Sequence, residues 1–168
     1  MAIIKGFQLK AIKSFRGHEG EPLKQANLYF NNKKVGFVSE DGHGGYPKIN
    51  LDRDIREEWE KTAKEFLAEH PEETIWSAQE FLFYQLFELS QDESEFKKSQ
   101  KKGFAVLAIF YEKQAFKHGD VEGFRSTGRE FVIQTTKLAD VEKYEKGELK
   151  DMLFDKKIYT SLEDFIIS

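Results

Sequence analysis

Between Ile75 and Leu89 the chain carries Phe81, Leu82, Phe83, Tyr84, Leu86, Phe87 and Leu89. At the helical period these side chains surround most of a circumference, so a helix here is too apolar for a surface position and has to be covered nearly all round. The rest of the chain must therefore supply layers to enclose it. One is a helix just upstream, where Asp52 stands as a cap and Ile55, Trp59, Ala63, Phe66 and Leu67 recur at helical spacing, ending at His70 before Pro71.

The other layer is a sheet. From Ile3 to Phe15 the odd positions Ile3, Phe7, Leu9, Ala11 and Phe15, with Lys5 and Lys13 interleaved, alternate with Gln8, Lys10 and Ser14, close to the period of one long strand. Asn27–Phe30 and Val35–Val38 flank the stretch Asn31-Asn32-Lys33-Lys34, and Asn tolerates the positive φ that tight hairpins require. Ser90 and Glu93 read as a capping box restarting a short polar helix through Lys98, before Gly103. Phe104–Tyr111 is apolar on both alternating faces, as in a strand covered on both sides, with Phe131–Ile133 as partner after a Gly-containing loop from Gln114 to Gly128. A helix from Leu138 to Lys146 ends at Gly147, Lys157–Tyr159 reads as an edge strand, and Ser161–Asp164 opens a last helical turn carrying Phe165 and Ile166 inward. The expected fold is α+β: an N-terminal antiparallel β-meander packed on a central apolar helix, with further strands and short helices toward the C-terminal end, in a single domain over residues 1–168.

Composition narrows the chemistry. Charged residues make up 33% of the chain, but with 16 Phe there is ample apolar mass for a folded core. The chain has no Cys, which excludes disulfides, thiolate nucleophiles and thiolate metal sites and makes a reducing cytoplasm the expected compartment. No apolar run approaches the ~18 residues of a membrane span and the first thirty residues show no leader pattern, so no membrane association is expected. A net charge of −4 supplies no global basic field, so any contact with nucleic acid must be local.

Two local clusters emerge. If the first three strands pair in sequence order, the loops Arg16-Gly-His18-Glu19-Gly-Glu21 and Glu40-Asp41-Gly-His43-Gly-Gly45-Tyr46 share one rim of the sheet. That rim joins His18 and His43 with Arg16, Glu19, Glu40 and Asp41. Paired imidazoles can serve as acid and base on a phosphodiester while a guanidinium stabilises developing charge, without a metal or other cofactor. The same residues could hold a divalent metal through both His and one carboxylate. They could equally be Gly-rich turns whose polar groups cap backbone and face solvent. The second cluster lies in Lys113–Arg129, where Lys117, His118, Arg125 and the end residues interleave with Phe116 and Phe124. Such a stretch could grip phosphates and stack on an unpaired base, or be a solvated loop with two Phe anchors. A third feature, the acidic series Asp54, Glu57, Glu58, Glu60, Glu65 and Glu69, could imitate phosphates toward a partner, although Lys61 and Lys64 are placed to pair within the helix.

With its RGHEGEP and GFVSEDGHGG loops, the stretch from Lys13 to Tyr46 resembles small proteins carried by phages and plasmids of Gram-positive bacteria, among them anti-CRISPR proteins directed at Cas9 and its guide RNA. The resemblance covers about a fifth of the chain, and no family catalytic residue is carried over by it. It implies a host-defence antagonist encoded by a mobile element, with a protein or ribonucleoprotein partner and RNA contact, that either blocks guide loading or truncates guide RNA. The alternatives from the residues alone are a non-enzymatic binding inhibitor and a metal-dependent hydrolase.

Overall fold

A computed structural model describes the chain apart from residues 18, 19, 21, 41–45, 72–76, 119 and 120 and apart from the side chains of residues 22, 118, 121 and 122. It has the α+β composition expected, and the chain divides into two compact units, Met1–Asp92 with Phe165–Ser168, and Glu93–Asp164.

The first unit is built on a sheet of β1 (Ile3–Ile4), β2 (Phe7–Arg16), β3 (Pro22–Phe30), β4 (Lys33–Ser39) and β5 (Lys48–Leu51), closed by the C-terminal β9 (Ile166–Ile167), in the order β5-β4-β3-β2-β1-β9. The meander β2-β3-β4 is antiparallel and in sequence order, as expected. Its hairpin turns at Asn31 and Asn32, both at positive φ (47° and 66°), the backbone of a tight turn that matches strand twist. What the sequence presents as one first strand is two. Lys5 and Gly6, at φ 45° and 86°, turn the chain between Ile4 and Phe7, and a Cβ on Gly6 would stand 2.9 Å from Asn31 Oδ1.

Strict alternation also fails further along β2. Ala11 lies at φ 52° in a bulge, where Lys10 pairs with Asn27 but Lys13 pairs with Gln25. One extra residue reverses the faces. Phe7 and Leu9 are buried, whereas Phe15 is 43% exposed and stands across from Leu23 rather than on the face that carries Lys24 toward the helices.

The helix α1 (Arg56–Ala68) buries Trp59, Thr62, Ala63 and Phe66 at the expected spacing, with Trp59 meeting Phe7 edge-on at 5.0 Å between ring centroids. Asp52 makes no side-chain cap; a 3-10 turn at Arg53–Ile55 intervenes. His70 packs against the Phe66 and Phe81 rings at 4.9 and 5.2 Å, a structural position. The apolar helix α2 (Ala78–Lys101) starts at a capping box that the hydrophobic pattern did not reveal: Ser77 Oγ accepts from the Glu80 amide while the Glu80 carboxylate accepts from the Ser77 amide at 3.2 Å. It buries Phe81, Leu82, Phe83, Leu86, Phe87 and Leu89. The expected restart at Ser90 does not occur, because Ser90 Oγ donates back to the Leu86 carbonyl at 2.7 Å and α2 continues unbroken.

In the second unit β6 (Val106–His118), β7 (Val121–Thr135) and β8 (Leu153–Tyr159) form a sheet in the order β7-β6-β8, with α3 (Leu138–Gly147) packed on it. Val106, Ala108, Phe110, Val141 and Leu149 make its core. Leu107 and Ile109 are buried on the opposite face, so the strand is covered on both sides as its sequence requires. A 3-10 turn at Leu162–Phe165 follows β8; Phe165 is fully buried, whereas Ile166, expected inside with it, is 50% exposed.

Candidate functional site

The rim of the first sheet is set by pairing. Arg16 stands opposite Pro22, Ser39 opposite both Gln25 and Lys48, and the Glu40 amide donates to the Lys24 carbonyl at 2.9 Å. The segments after β2 and after β4 therefore leave the same end of the sheet, which is the topological premise of the histidine site. His18, Glu19, Asp41 and His43 themselves lie outside the described residues, as do the imidazoles that the metal alternative needs. Arg16 is exposed at the end of β2.

Glu40 has a partner the sequence does not announce. Its Oε1 accepts from the Tyr84 hydroxyl of α2 at 2.6 Å, while its Oε2 is buried with no hydrogen bond from the described residues. Burial, followed by the hydrogen bond and negative charge of Glu40 and the charge of Glu80, pushes the Tyr84 hydroxyl well above its ordinary pKa. Lys24 Nζ lies over the Phe87 and Tyr84 rings at 4.3 and 5.2 Å. The carboxylate that begins the second rim loop is thus tied to α2, which fixes where that loop departs. Nearby, Tyr46, Pro47, Ile49, Ser77, Gln79 and Glu80 line a hollow of about 450 Å³. Three of its polar side chains are engaged: Glu80 holds Ser77, and Gln79 accepts from the Trp59 indole at 3.1 Å.

The basic and aromatic stretch expected as a loop is a β-ribbon. β6 and β7 pair from Val106↔Thr135 out to His118↔Val121, while β8 reaches only Lys113, opposite Leu153. From Gln114 outward the sheet is therefore two strands wide. The loop reading failed because the glycines that suggest irregular backbone sit inside strand pairing. Gly123 faces Phe116, whose ring would be 3.1 Å from a Cβ there, so the absent side chain makes room for an aromatic lying across the strand. Gly128, at φ 78°, sits in a bulge where Tyr111 pairs with Glu130 but Lys113 pairs with Ser126. Thr127 Oγ1 donates to the Glu112 carboxylate at 2.6 Å across it, and Arg129 Nη1 reaches the same carboxylate at 3.4 Å.

Register sorts the site residues onto two faces. Directly paired residues share a face, so Lys113, Ala115, Lys117, Phe124 and Ser126 lie on one, and Gln114, Phe116, Gly123 and Arg125 on the other. On the first face Phe124 is 62% exposed, since the residue across from it is only Ala115. Lys113 and Lys117 occupy the positions diagonal to it, and Lys113 is ion-paired with Asp155 of β8. On the second, the Gln114 amide, oriented to satisfy both groups, accepts from Arg125 Nε and Nη2 at 2.9 and 3.1 Å. Ala115, Phe116, Lys117, Gly123 and Phe124 line a hollow of about 440 Å³ on the ribbon. His118 closes the strand pairing opposite Val121, with its side chain outside the described ones.

No helix among the described residues is long and apolar enough to cross a membrane. Among known proteins, no family model, no curated protein and no solved structure matches this chain.

Proposed function

We propose that this protein is a mobile-element-encoded antagonist of host defence that works by binding a nucleic-acid-bearing complex, with the β6–β7 ribbon as its contact surface. The host-defence part rests on the resemblance of the two Gly- and His-containing loops to anti-CRISPR proteins. The single observation that carries the binding part is the exposed Phe124 on a two-stranded ribbon with Lys113 and Lys117 diagonal to it. A large exposed aromatic beside cations on a projecting strand pair is a surface built for contact. Lys113–Arg129 holds four Lys and Arg against Asp120 and Glu122 in a chain of net charge −4, with Asp155 pairing Lys113 and Glu112 pairing Arg129.

Affinity purification of the tagged full chain from a bacterium with an active type II CRISPR system tests this. Enrichment of an effector together with its guide RNA supports the reading, and recovery of the chain without any nucleoprotein refutes it.

A second reading, guide-RNA truncation by His18 and His43 with Arg16, Glu19, Glu40 and Asp41, is favoured by the shared departure of the two rim segments from one end of the sheet. It calls for RNA cleavage that survives chelator, has a bell-shaped pH profile, and falls by about 10²-fold in His18→Ala and in His43→Ala, the scale of losing a general acid or base. Intact guide RNA after incubation with the complex refutes it. Chelator-sensitive cleavage would transfer the rim to the metal-dependent alternative.

A further inference from the structure

The second sheet ends in an open edge. In the order β7-β6-β8, β7 has a neighbour on one side only, so among the described residues from Arg129 to Thr135 every other backbone amide and carbonyl faces outward with no strand to bond to. Edges of this kind are normally guarded. β8 carries Asp155, Lys156 and Lys157 in succession, and further out on β7 stands the bulge at Gly128. From Phe131 to Ile133 there is neither charge, proline nor bulge, and Val132, paired with the buried Ile109, is itself 55% exposed. Burial of that face stops one strand short of the edge.

We propose that this edge pairs with the same edge of a second copy of the chain, antiparallel about a two-fold axis at Val132, joining two three-stranded sheets into one of six strands. The sequence of β7 selects that register. With the axis there, Val132 stands against its own copy, Phe131 against Ile133, Glu130 against Gln134 and Arg129 against Thr135. Each pair shares a face, apolar residues meet apolar ones, and no like charges are opposed. An axis at Arg129 or Glu130 would oppose identical charges, and one at Phe131 would set Glu130 against Val132 and Arg129 against Ile133. An axis at Ile133 shortens the ladder to Phe131–Thr135, and an axis between two residues pairs side chains of opposite faces.

The core face adds a contact between opposite charges. Phe131 and Ile133 lie on the face that packs with Val141 of α3, and Arg129 shares it, its guanidinium 5.4 Å from the Phe131 ring. On the same face Thr135 Oγ1 donates to the Asp140 carboxylate of α3. In this register each Arg129 therefore comes opposite the residue that holds an acid of the other copy, once at either end of the ladder. Its partner within the chain, Glu112, is reached only at 3.4 Å. Pairing over Arg129–Thr135 makes a small interface, so the association is expected to be reversible and concentration-dependent.

Because the chain has no Cys, single introduced thiols report the register without background. In Val132→Cys the two α-carbons would stand about 4.5–5.5 Å apart, within disulfide range, and mild oxidation of the full chain should give a covalent dimer. Glu130→Cys alone should not cross-link, since its two copies would be four residues apart along the ladder, about 13 Å. Mixed with Gln134→Cys, it should cross-link to that variant. Sedimentation of the unsubstituted chain should show a monomer–dimer equilibrium at concentrations up to about 500 μM, the range of a small interface. Val132→Lys, at a position exposed in the monomer, should weaken that equilibrium at least about tenfold by opposing two ammonium groups. Arg129→Glu should weaken it as well, and Arg129→Glu/Asp140→Lys should restore part of the loss.

An unsubstituted chain that stays monomeric over that range would overturn the pairing. So would an equilibrium unchanged by Val132→Lys. Cross-linking of Val132→Cys no faster than that of Glu130→Cys would overturn the register, and with it the two-fold axis on which the proposal rests.

Discussion

Gly36→Ala should detach the edge of the first sheet. Gly36 lies in β4 opposite Leu51 of β5, and a Cβ there would press on the Asn50 backbone carbonyl, far inside the 3.0 Å that such carbons essentially never breach. Restoring an ordinary 3.4 Å contact would require the β5 backbone to retreat by roughly 1 Å. The obstacle is backbone held in a ladder, not a side chain that can rotate, and the Leu51 side chain at 3.1 Å closes the other direction. Overpacking of this kind usually costs about 1–3 kcal/mol, and the upper end applies where the neighbour cannot yield. At about 2–4 °C per kcal/mol for a chain of this length, the melting temperature should fall by about 6–12 °C. The structural signature is local: amide hydrogen exchange should accelerate over Lys48–Leu51, the strand that anchors the far end of the second rim loop. Gly147→Ala is the control, since Gly147 has no neighbour within 4 Å and no positive φ; it should be neutral or stabilise by about 0.4–1 kcal/mol. Equal melting temperatures and unchanged exchange over β5 in Gly36→Ala would refute the close approach of the two strands.

Three further outcomes are expected. Phe110→Ala, which removes a fully buried ring meeting Phe154 edge-on at 5.2 Å, should cost about 3–5 kcal/mol in urea unfolding of the full chain; a loss below about 1 kcal/mol would mean the core around Val141 closes over the gap. Tyr84 holds its proton more tightly in the folded protein than at its ordinary value of 10.0, so its contribution is intact below that pH and is lost as pH rises above it; Tyr84→Phe should be less stable at neutral pH, with Glu40 deprived of its donor, and its stability should decline less steeply in alkali than the parent's. Burial alone would raise the Asp164 pKa, but the amides of Thr160 and Ser161 and their hydroxyls outweigh it and lower the value, so its contribution is present at neutral pH and is lost as pH falls below the ordinary carboxylate range. Asp164→Ala should accordingly cost about 1 kcal/mol at pH 7 and little in strong acid; an equal cost at both would show that the carboxylate's charge is irrelevant to the turn.

Elements that follow from local pattern were legible without coordinates. Trp59, Ala63 and Phe66 recur on one helical face, Asn31 and Asn32 accept positive φ, and Phe81–Leu89 is too apolar to be anything but enclosed; each is a property of neighbouring residues. The shared departure of the two rim segments was legible as well, because an antiparallel meander in sequence order admits no other arrangement. The edge strand β5 escaped notice: four residues are too short to show a period. The bulge at Ala11 was equally silent, since alanine carries no turn signal, and an extra residue there turns Phe15 away from the face on which Phe7 is buried.

The ribbon shows where sequence stops and tertiary structure takes over. Lys113, Lys117, Phe124 and Arg125 were identifiable as a basic and aromatic stretch from composition alone, but Gly119, Gly123 and Gly128 made it look like a loop. Glycine is permissive locally and so carries little information about its own conformation. Only cross-strand hydrogen bonding between residues of β6 and β7 could convert Gly123 and Gly128 into strand and bulge positions. The same holds for Glu40, whose partner Tyr84 stands 44 residues away. Sequence by itself determined which segments had to be buried and which residue types were available for chemistry, because burial and propensity act over a few neighbouring residues. Which of those residues share a face, and which carboxylate is held by which hydroxyl, was decided by pairing between distant segments, and that is a property of the folded chain alone.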